Sequence, residues 1–586
     1  MPKMVIWALI AAVAFCLAFL LGATAVKAGD RIIDFHDLKG GLTSGGFEIS
    51  FKQNVKIDGV GLGSAKGSEF YAYGWLIDAS DRSLVWSMNE DCPDPSKMSD
   101  DLYECQADLT LSPGRYEVYY YIADPDIFMP GGGDISVNDL GDLIKILGEA
   151  IKISGDNKKL FSEEDIAELT FAVKTDGPAT TFVPAFRPPE GLIAEFNVPS
   201  KDEYLHKGFT LTRETDLSIY AIGEYSESYD LFVDGGWILN ADTREKAWSM
   251  DKWNTEWAEG ARKNRLFKDH VTLSPGNYIA YYVTDDCHDP EAWNSPPPGD
   301  PLNYGMVIST TRPEEIKNVV PFNEQVNEKP IVAITGVHNS SFEKQGFTLT
   351  KPTRIHVLAL GEKNYTGSDL ADYGWIMDAD NAEKVWAMTS DNTDFAGGAA
   401  KNCRFDGIVE LPAGDYIVYY RTDDSHAYGS WNAARPFDYR NYGISIFGVG
   451  KGFSSADFKL HDDFTPTGNI LVNLTGLGDD EDVEQDFTLS KPTEIKITAV
   501  GEGKDRDMYD YGWIEDDEGD TVWEMTYRKT RNAGGAAKNR MIIDVITLEK
   551  GTYTAHFITD DSHSYSDFNA SPPDDPERWG IMITVH

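Results

Sequence analysis

One tryptophan-bearing pattern occurs four times in this chain, and a chain that repeats a pattern at this spacing folds as copies of one module. The copies are YGWLIDASDRSLVWSM from Tyr73, GGWILNADTREKAWSM from Gly235, YGWIMDADNAEKVWAM from Tyr373 and YGWIEDDEGDTVWEM from Tyr511. A second shared stretch precedes each and opens at Phe47, Phe209, Phe347 or Phe487. In the third copy it reads FTLTKPTRIHVLALGE. There Phe347 and Leu349, then Ile355, Val357 and Ala359, alternate with polar residues, the period of a strand with one buried face. The tryptophan pattern is an apolar strand, an acidic turn and a returning strand. A third part, such as IVELPAGDYIVYY, places two strands across a Pro/Gly turn.

Short strands with turn signals throughout predict an all-β chain of four tandem β-sandwich or jelly-roll-like modules. The expected spans are 30–186, 187–310, 328–448 and 467–586. The first module carries a helical insertion near 137–168, where Leu140, Leu143, Ile144, Leu147 and Ile151 share a helical face and a second short helix follows at 162–168. The stretches between modules contain proline and are expected to run beside the modules in a semi-rigid row.

Residues 1–28 read as a signal peptide, with Lys3, an apolar run from Val5 to Gly22, and small residues around a cleavage after Ala28. The other reading is an uncleaved N-terminal anchor. No later run is long enough to span a bilayer, so a mature chain without a transmembrane segment is expected in the periplasm, at the cell surface or outside the cell. An oxidising compartment would let Cys92 and Cys105 close a disulfide, while Cys287 and Cys403 stand alone in other copies. With 96 acidic against 52 basic side chains and a formal charge of -44, the chain is a poor partner for nucleic acid or anionic lipid. Divalent cations and basic faces suit it better.

Comparing the copies yields candidate sites. Copies two to four share TDDCH from Thr284, TDDSH from Thr422 and TDDSH from Thr559, and each also has a Lys–Asn pair earlier, at Lys263, Lys401 or Lys538. The first copy lacks both, which predicts that the two features are neighbours. Read as a hairpin across the Pro/Gly turn, the strands place Arg265 opposite Asp286 and Arg540 opposite Asp561, and Asp424 opposite Cys403 with Arg404 on the other face. The candidates are therefore Arg265, Asp285, Asp286, His288, Trp293 and Asn294 in copy two. In copy three they are Lys401, Asp423, Asp424, His426, Trp431 and Asn432. Arg540, Asp560, Asp561, His563, Phe568 and Asn569 are those of copy four.

Three roles fit them: a structural latch, a metal or ligand site, or acid–base chemistry by an Asp/His pair. No serine or cysteine stands in a recognisable nucleophile context, so catalysis is not expected. A separate acidic run gives Asp479, Asp480 and Asp482 as candidate calcium ligands, although the spacing is not that of a helix-loop-helix calcium loop. The aromatic loop after the histidine, with Tyr428 and Tyr565, is the place where a glycan or protein would be met.

FTLSKPTEIKITAVGE, YDYGWIEDDEGDTVWEM and ITLEKGTYTAHF together resemble the bacterial pre-peptidase C-terminal domain. The resemblance implies a small jelly roll of the kind appended to secreted enzymes. The chain departs from it in its YGW, Lys–Asn and TDDSH elements and in carrying no hydrolase domain. The function expected is an exported tandem-repeat binding or scaffolding protein of the cell envelope, with a glycan or protein ligand. The alternative is an accessory part of a secreted hydrolase, or a metal-assisted hydrolase using the repeated Asp-Asp-x-His sites.

Overall fold

The computed structural model describes Ala25–Val26 and residues 30–63, 70–92, 102–124, 163–228, 230–285, 287–290, 292–322, 330–364, 369–449, 453–461, 469–565 and 567–586. The chain is all-β, with antiparallel pairing throughout its named strands. The third module shows the plan. One sheet has the order Val332–Thr335, Gly443–Gly448, Thr353–Lys363, Asn402–Leu411 and Asp394–Phe395. The facing sheet runs Phe458–His461, Phe342–Leu349, Gly414–Arg421, Leu370–Asp378 and Lys384–Ala387. The alternation in Thr353–Lys363 sends Ile355, Val357 and Ala359 inward, all fully buried.

The two sheets join at one corner, where Glu362 pairs with Asp372 and Lys363 with Leu370 across a bulge. Module two repeats this order, module four repeats it with only four strands in the facing sheet, and in module one the same corner is made by Leu62 and Ala72. The stretches between modules are integrated into the sheets. Ala179–Phe182 pairs with Gly41–Ile49, Val319–Pro321 with Tyr204–Leu211, and Phe458–His461 with Phe342–Leu349. Ala25–Val26, inside the stretch read as a leader, adds two residues beside Ala179–Phe182.

A helix at Glu163–Glu168 matches the short one expected there, whereas the helical face from Leu140 to Ile151 lies outside the described residues. Cys92 and Cys105 form the expected disulfide, their Cα atoms 5.6 Å apart.

The hairpin register is corrected. Asn264–Leu273 pairs with Thr215–Ser226, and Gly276–Val283 pairs with Tyr204–Leu211 and Leu231–Asn240. The Pro/Gly turn between them therefore crosses from one sheet to the other. Arg265 lies opposite Gly223, and Arg540 opposite Gly501, with no aspartate across from either. Cys403 likewise faces Gly361, so it does not meet Asp424.

Trp75 and Trp375 are buried on the face of their sheet that meets the next module, where the loop that follows that module's histidine docks. Trp75 Nε1 donates to Gly299 O at 2.7 Å, while Arg82 Nε meets Asp300 Oδ2 at 2.9 Å. Between modules two and three, Arg244 and Arg404 converge on Asp406, and Tyr204 stacks on Phe437. Between three and four, Tyr419 Oη donates to Asp575 Oδ2 at 2.7 Å and Lys384 pairs with Asp574 at 2.9 Å. Asp300, Phe437 and Asp575 all belong to equivalent loops. The modules are thus joined head to tail by one repeated device.

Candidate functional site

The corner between the sheets positions two connected polar clusters in modules two to four. The first is the histidine cluster. His288, His426 and His563 are all 0 % exposed and all have a left-handed backbone, with φ of 58°, 54° and 60°. Each Nε2 meets the side-chain oxygen of the asparagine in the Lys–Asn pair: Asn264 at 2.7 Å, Asn402 at 2.7 Å and Asn539 at 2.6 Å. The asparagine Nδ2 donates to two backbone carbonyls, Gly397 O at 2.7 Å and Ala434 O at 2.9 Å in module three. The same pair of bonds joins Asn264 to Glu259 and Pro296, and Asn539 to Gly534 and Ser571.

Those carbonyls fix the amide orientation, so the imidazole must carry its hydrogen on Nε2 and donate it. Burial, reinforced by the neighbouring lysine, lowers His426 and His563 to about 4 and His288 well below the ordinary range. The neutral imidazole then packs edge-on against an aromatic ring. His288 meets Trp293 at 4.8 Å, and His426 meets Trp431 at 5.1 Å. His563 meets Phe568 at 5.1 Å.

The lysine links this cluster to the second one. Lys401 Nζ donates to Asn432 Oδ1 at 2.5 Å and lies 2.8 Å from Glu362 Oε1. Lys263 does the same with Asn294 and Glu224, and Lys538 with Asn569 and Glu502.

Beyond each glutamate lies a buried aspartate, Asp234, Asp372 or Asp510. One oxygen of that aspartate accepts the backbone N–H of the first aspartate of the repeated Asp-Asp motif: Asp285 at 2.7 Å, Asp423 at 2.7 Å or Asp560 at 2.9 Å. Its other oxygen accepts from Tyr304, Tyr442 or Trp579. Burial pushes Asp372 and Asp510 up to about 7 and Asp234 well above the carboxylate range.

The arginines go elsewhere. Arg265 donates to Thr255 Oγ1 at 3.2 Å, and Arg540 to Thr530 Oγ1 at 3.0 Å, each also reaching the same threonine's carbonyl. They tie down the loop before their own strand, and among the described residues Arg540 forms no ion pair with Asp560 or Asp561. Asp424 and Asp561 are exposed, and Asp286 lies outside the described residues.

The acids proposed for calcium are also dispersed. Asp479 accepts from Ser564 Oγ at 2.5 Å, Asp480 turns with φ of 55° to bond Asp560 O, and Asp482 opens an exposed strand end. The acids that do converge are Glu362, Asp372 and Asp423, and Glu502, Asp510 and Asp560, with ligand atoms within 4.8 Å of one another in each group. In module two Glu224 and Asp285 converge with Cys287.

The glutamate and the buried aspartate, Asp234, Asp372 or Asp510, were missed in the sequence, although both were legible there. The shared stretches end Gly-Glu at Glu224, Glu362 and Glu502 but Gly-Leu at Leu62, and the residue two before Gly-Trp is aspartate in three copies but Ala72 in the first.

Tyr428 stacks on Tyr439 and Tyr565 packs at the joint, while Trp293 is buried, so the loop aromatics largely serve packing. The largest exposed aromatic among the described residues is Trp253, 90 % exposed, with Trp257 at 45 % on the same loop of module two.

No family model and no curated protein matches the sequence. Among solved structures, the CUB1-EGF-CUB2 domain of human MASP-1/3 is 10 % identical over 43 % of this chain and 96 % of that one, with a TM-score of 0.14. The CBM32-1, CBM32-2 and M60 catalytic domains of Clostridium perfringens ZmpB are 9 % identical over 68 % of this chain and 51 % of theirs, with a TM-score of 0.12. The arabinofuranosyltransferase AftD from Mycobacteria is 9 % identical over 89 % of this chain and 39 % of that one, with a TM-score of 0.11. At these identities and TM-scores the comparisons assign the chain to no family.

Proposed function

We propose that the chain is an exported accessory array of a cell-envelope hydrolase system, in which four β-sandwich modules form one rod that holds binding surfaces at fixed spacing. The observation that carries this reading is the loop-to-face docking repeated at all three joints. A loop that follows the histidine in one module is spent on the aromatic face of the module before it, which fixes their relative orientation. Module four has the same face in altered form. Glu515 stands where Ile77, Leu239 and Met377 stand in the others, and His556 replaces the tyrosine that stacks on the YGW tryptophan.

The surface best suited to a ligand in this array is the Trp253/Trp257 loop, since an apolar ring held in water gains from stacking on a neutral sugar or a protein side chain. Retention of the intact chain on cell-wall fragments and glycan arrays tests the reading. Retention that falls at least tenfold with Trp253→Ala and Trp257→Ala supports it. Unchanged retention, or none with the wild-type chain, removes it.

A second reading, metal-assisted hydrolysis, draws on the converging carboxylates of modules two to four. The Asp-Asp-x-His histidines would not serve it as ligands through Nε2, because that atom donates to asparagine. Turnover of an ester, amide or glycoside by metal-supplemented protein, abolished by Glu362→Gln with Glu502→Gln, would establish it over the first.

A further inference from the structure

We infer that the carboxylate corners of modules three and four are two calcium-type divalent-cation sites, formed by Glu362, Asp372 and Asp423 and by Glu502, Asp510 and Asp560. This inference does not depend on the accessory-array reading.

Converging acids alone are no site, but two further observations point to a ligand. Glu362 is 5 % exposed and Glu502 7 %, and in each the Oε1 atom is held by a lysine while Oε2 is buried with no hydrogen-bond partner. A buried carboxylate oxygen without a donor is costly, and the same atom is left so in two modules. Each corner gathers three carboxyl groups around one lysine, an arrangement that a divalent ion would help to neutralise.

Module one supplies the second observation. Its sandwich has the same corner, with Leu62 paired to Ala72 exactly as Glu362 is to Asp372, and Ala123 follows the strand where Asp423 follows in module three. All three acids are therefore replaced together by buried apolar side chains, 1 %, 0 % and 0 % exposed. The fold does not need the acids, and where they are absent they are absent as a set. The lysine–asparagine pair goes with them, since Leu102 takes the place of Asn402 opposite the corner.

The donor set is all oxygen, which suits calcium or another hard cation more than zinc or copper. Asp423 is exposed and Asp560 half-buried, so the ion would enter from that side and keep water there. Ser425 and Ser562 donate their backbone N–H to one oxygen of these aspartates at 2.8 and 3.0 Å, holding the carboxylate in place with its second oxygen open to a ligand.

Calorimetric titration of calcium chloride into chelator-treated full-length protein tests the inference, with thermal unfolding alongside. The informative variant copies module one into both corners: Glu362→Leu, Asp372→Ala and Asp423→Ala, with Glu502→Leu, Asp510→Ala and Asp560→Ala. Module one shows that this corner folds without acids. Asp423→Asn with Asp560→Asn is the milder variant, since both sites sit at the edge. We expect calcium to raise the unfolding midpoint of the wild-type chain, the six-residue variant to lose two equivalents of bound calcium, and the milder pair to bind at least tenfold more weakly. Identical stoichiometry and affinity in wild type and both variants would assign the bound ions to the surface acidic turns and overturn the inference. An absence of any calcium heat or thermal shift up to millimolar concentrations would overturn it as well.

Discussion

Replacing Asn402 by alanine should unfold the end of module three on a scale that can be worked out from its bonds. The side chain is 0 % exposed, donates to Gly397 O and Ala434 O and accepts from His426 Nε2. Alanine leaves the Gly397 carbonyl and one imidazole N–H without partners, at about 1–3 kcal/mol each, while Ala434 O keeps the Ala399 N–H. Water entering the space would recover part of this, so the net loss is put at about 2–4 kcal/mol, out of roughly 5–15 kcal/mol for a domain. Asn402→Asp should cost as much, because it keeps an acceptor for His426 but turns an oxygen toward two carbonyls. Hydrogen exchange read by mass spectrometry separates the modules, and peptides from residues 396–446 should exchange about a hundredfold faster, the equivalent of about 3 kcal/mol. Peptides of module one should not change. A less than threefold change in module three would mean that the cluster is not a latch and that this energetic reasoning is wrong.

Two other perturbations address the joint and the first module. Burial alone would raise Asp406, but Arg404 and Arg244 beside it hold it well below the carboxylate range. A depressed folded-state pKa contributes stability above the unfolded value of about 3.9 and loses it as pH falls through the folded value. The joint between modules two and three should therefore be unchanged from pH 7 to about 4 and open only in stronger acid, whereas Asp406→Ala should open it at pH 7; scattering profiles that stay identical for that variant would contradict this. Reducing Cys92–Cys105, which closes a loop of 13 residues, should lower the stability of module one by about 3 kcal/mol. Unfolding curves that coincide with and without reductant would refute it.

Much of the architecture was legible because strand periodicity survives in every copy, as in Ile355, Val357 and Ala359. The Pro/Gly turn misled because a hairpin and a sheet-to-sheet arch use the same turn residues. Only pairing partners distinguish them, and the partners in Thr215–Ser226 lie 40 to 58 residues before those in Asn264–Leu273, from Glu224↔Asn264 to Thr215↔Leu273. Lys401 and His426 were found by their joint absence from the first copy, yet the arginine next to the asparagine was given the lysine's role. The lysine stands just before the strand that the asparagine opens, so a register drawn within the strand brings in the arginine and leaves the lysine out. Asp372 escaped notice because one aspartate before Tyr-Gly-Trp looks like any acid at a strand end. Its burial comes from Tyr442, which is 70 residues later in the chain. The role of Trp75 and Trp375 at the joints depended on contacts between modules that no single copy encodes.

The loops after the histidines are the joints between modules, and a double-mutant cycle on Tyr419 and Asp575 measures this at the joint of modules three and four. Tyr419 is 0 % exposed and Asp575 8 %, and the phenol donates to the carboxylate at 2.7 Å. Tyr419→Phe, Asp575→Asn and the double variant, compared by hydrogen exchange of modules three and four in the full chain, should give a coupling of about 1.5–3 kcal/mol, the range for a buried bond to a charged group. A coupling below about 0.3 kcal/mol would mean that the loop is free of the preceding module and would contradict a continuous rod.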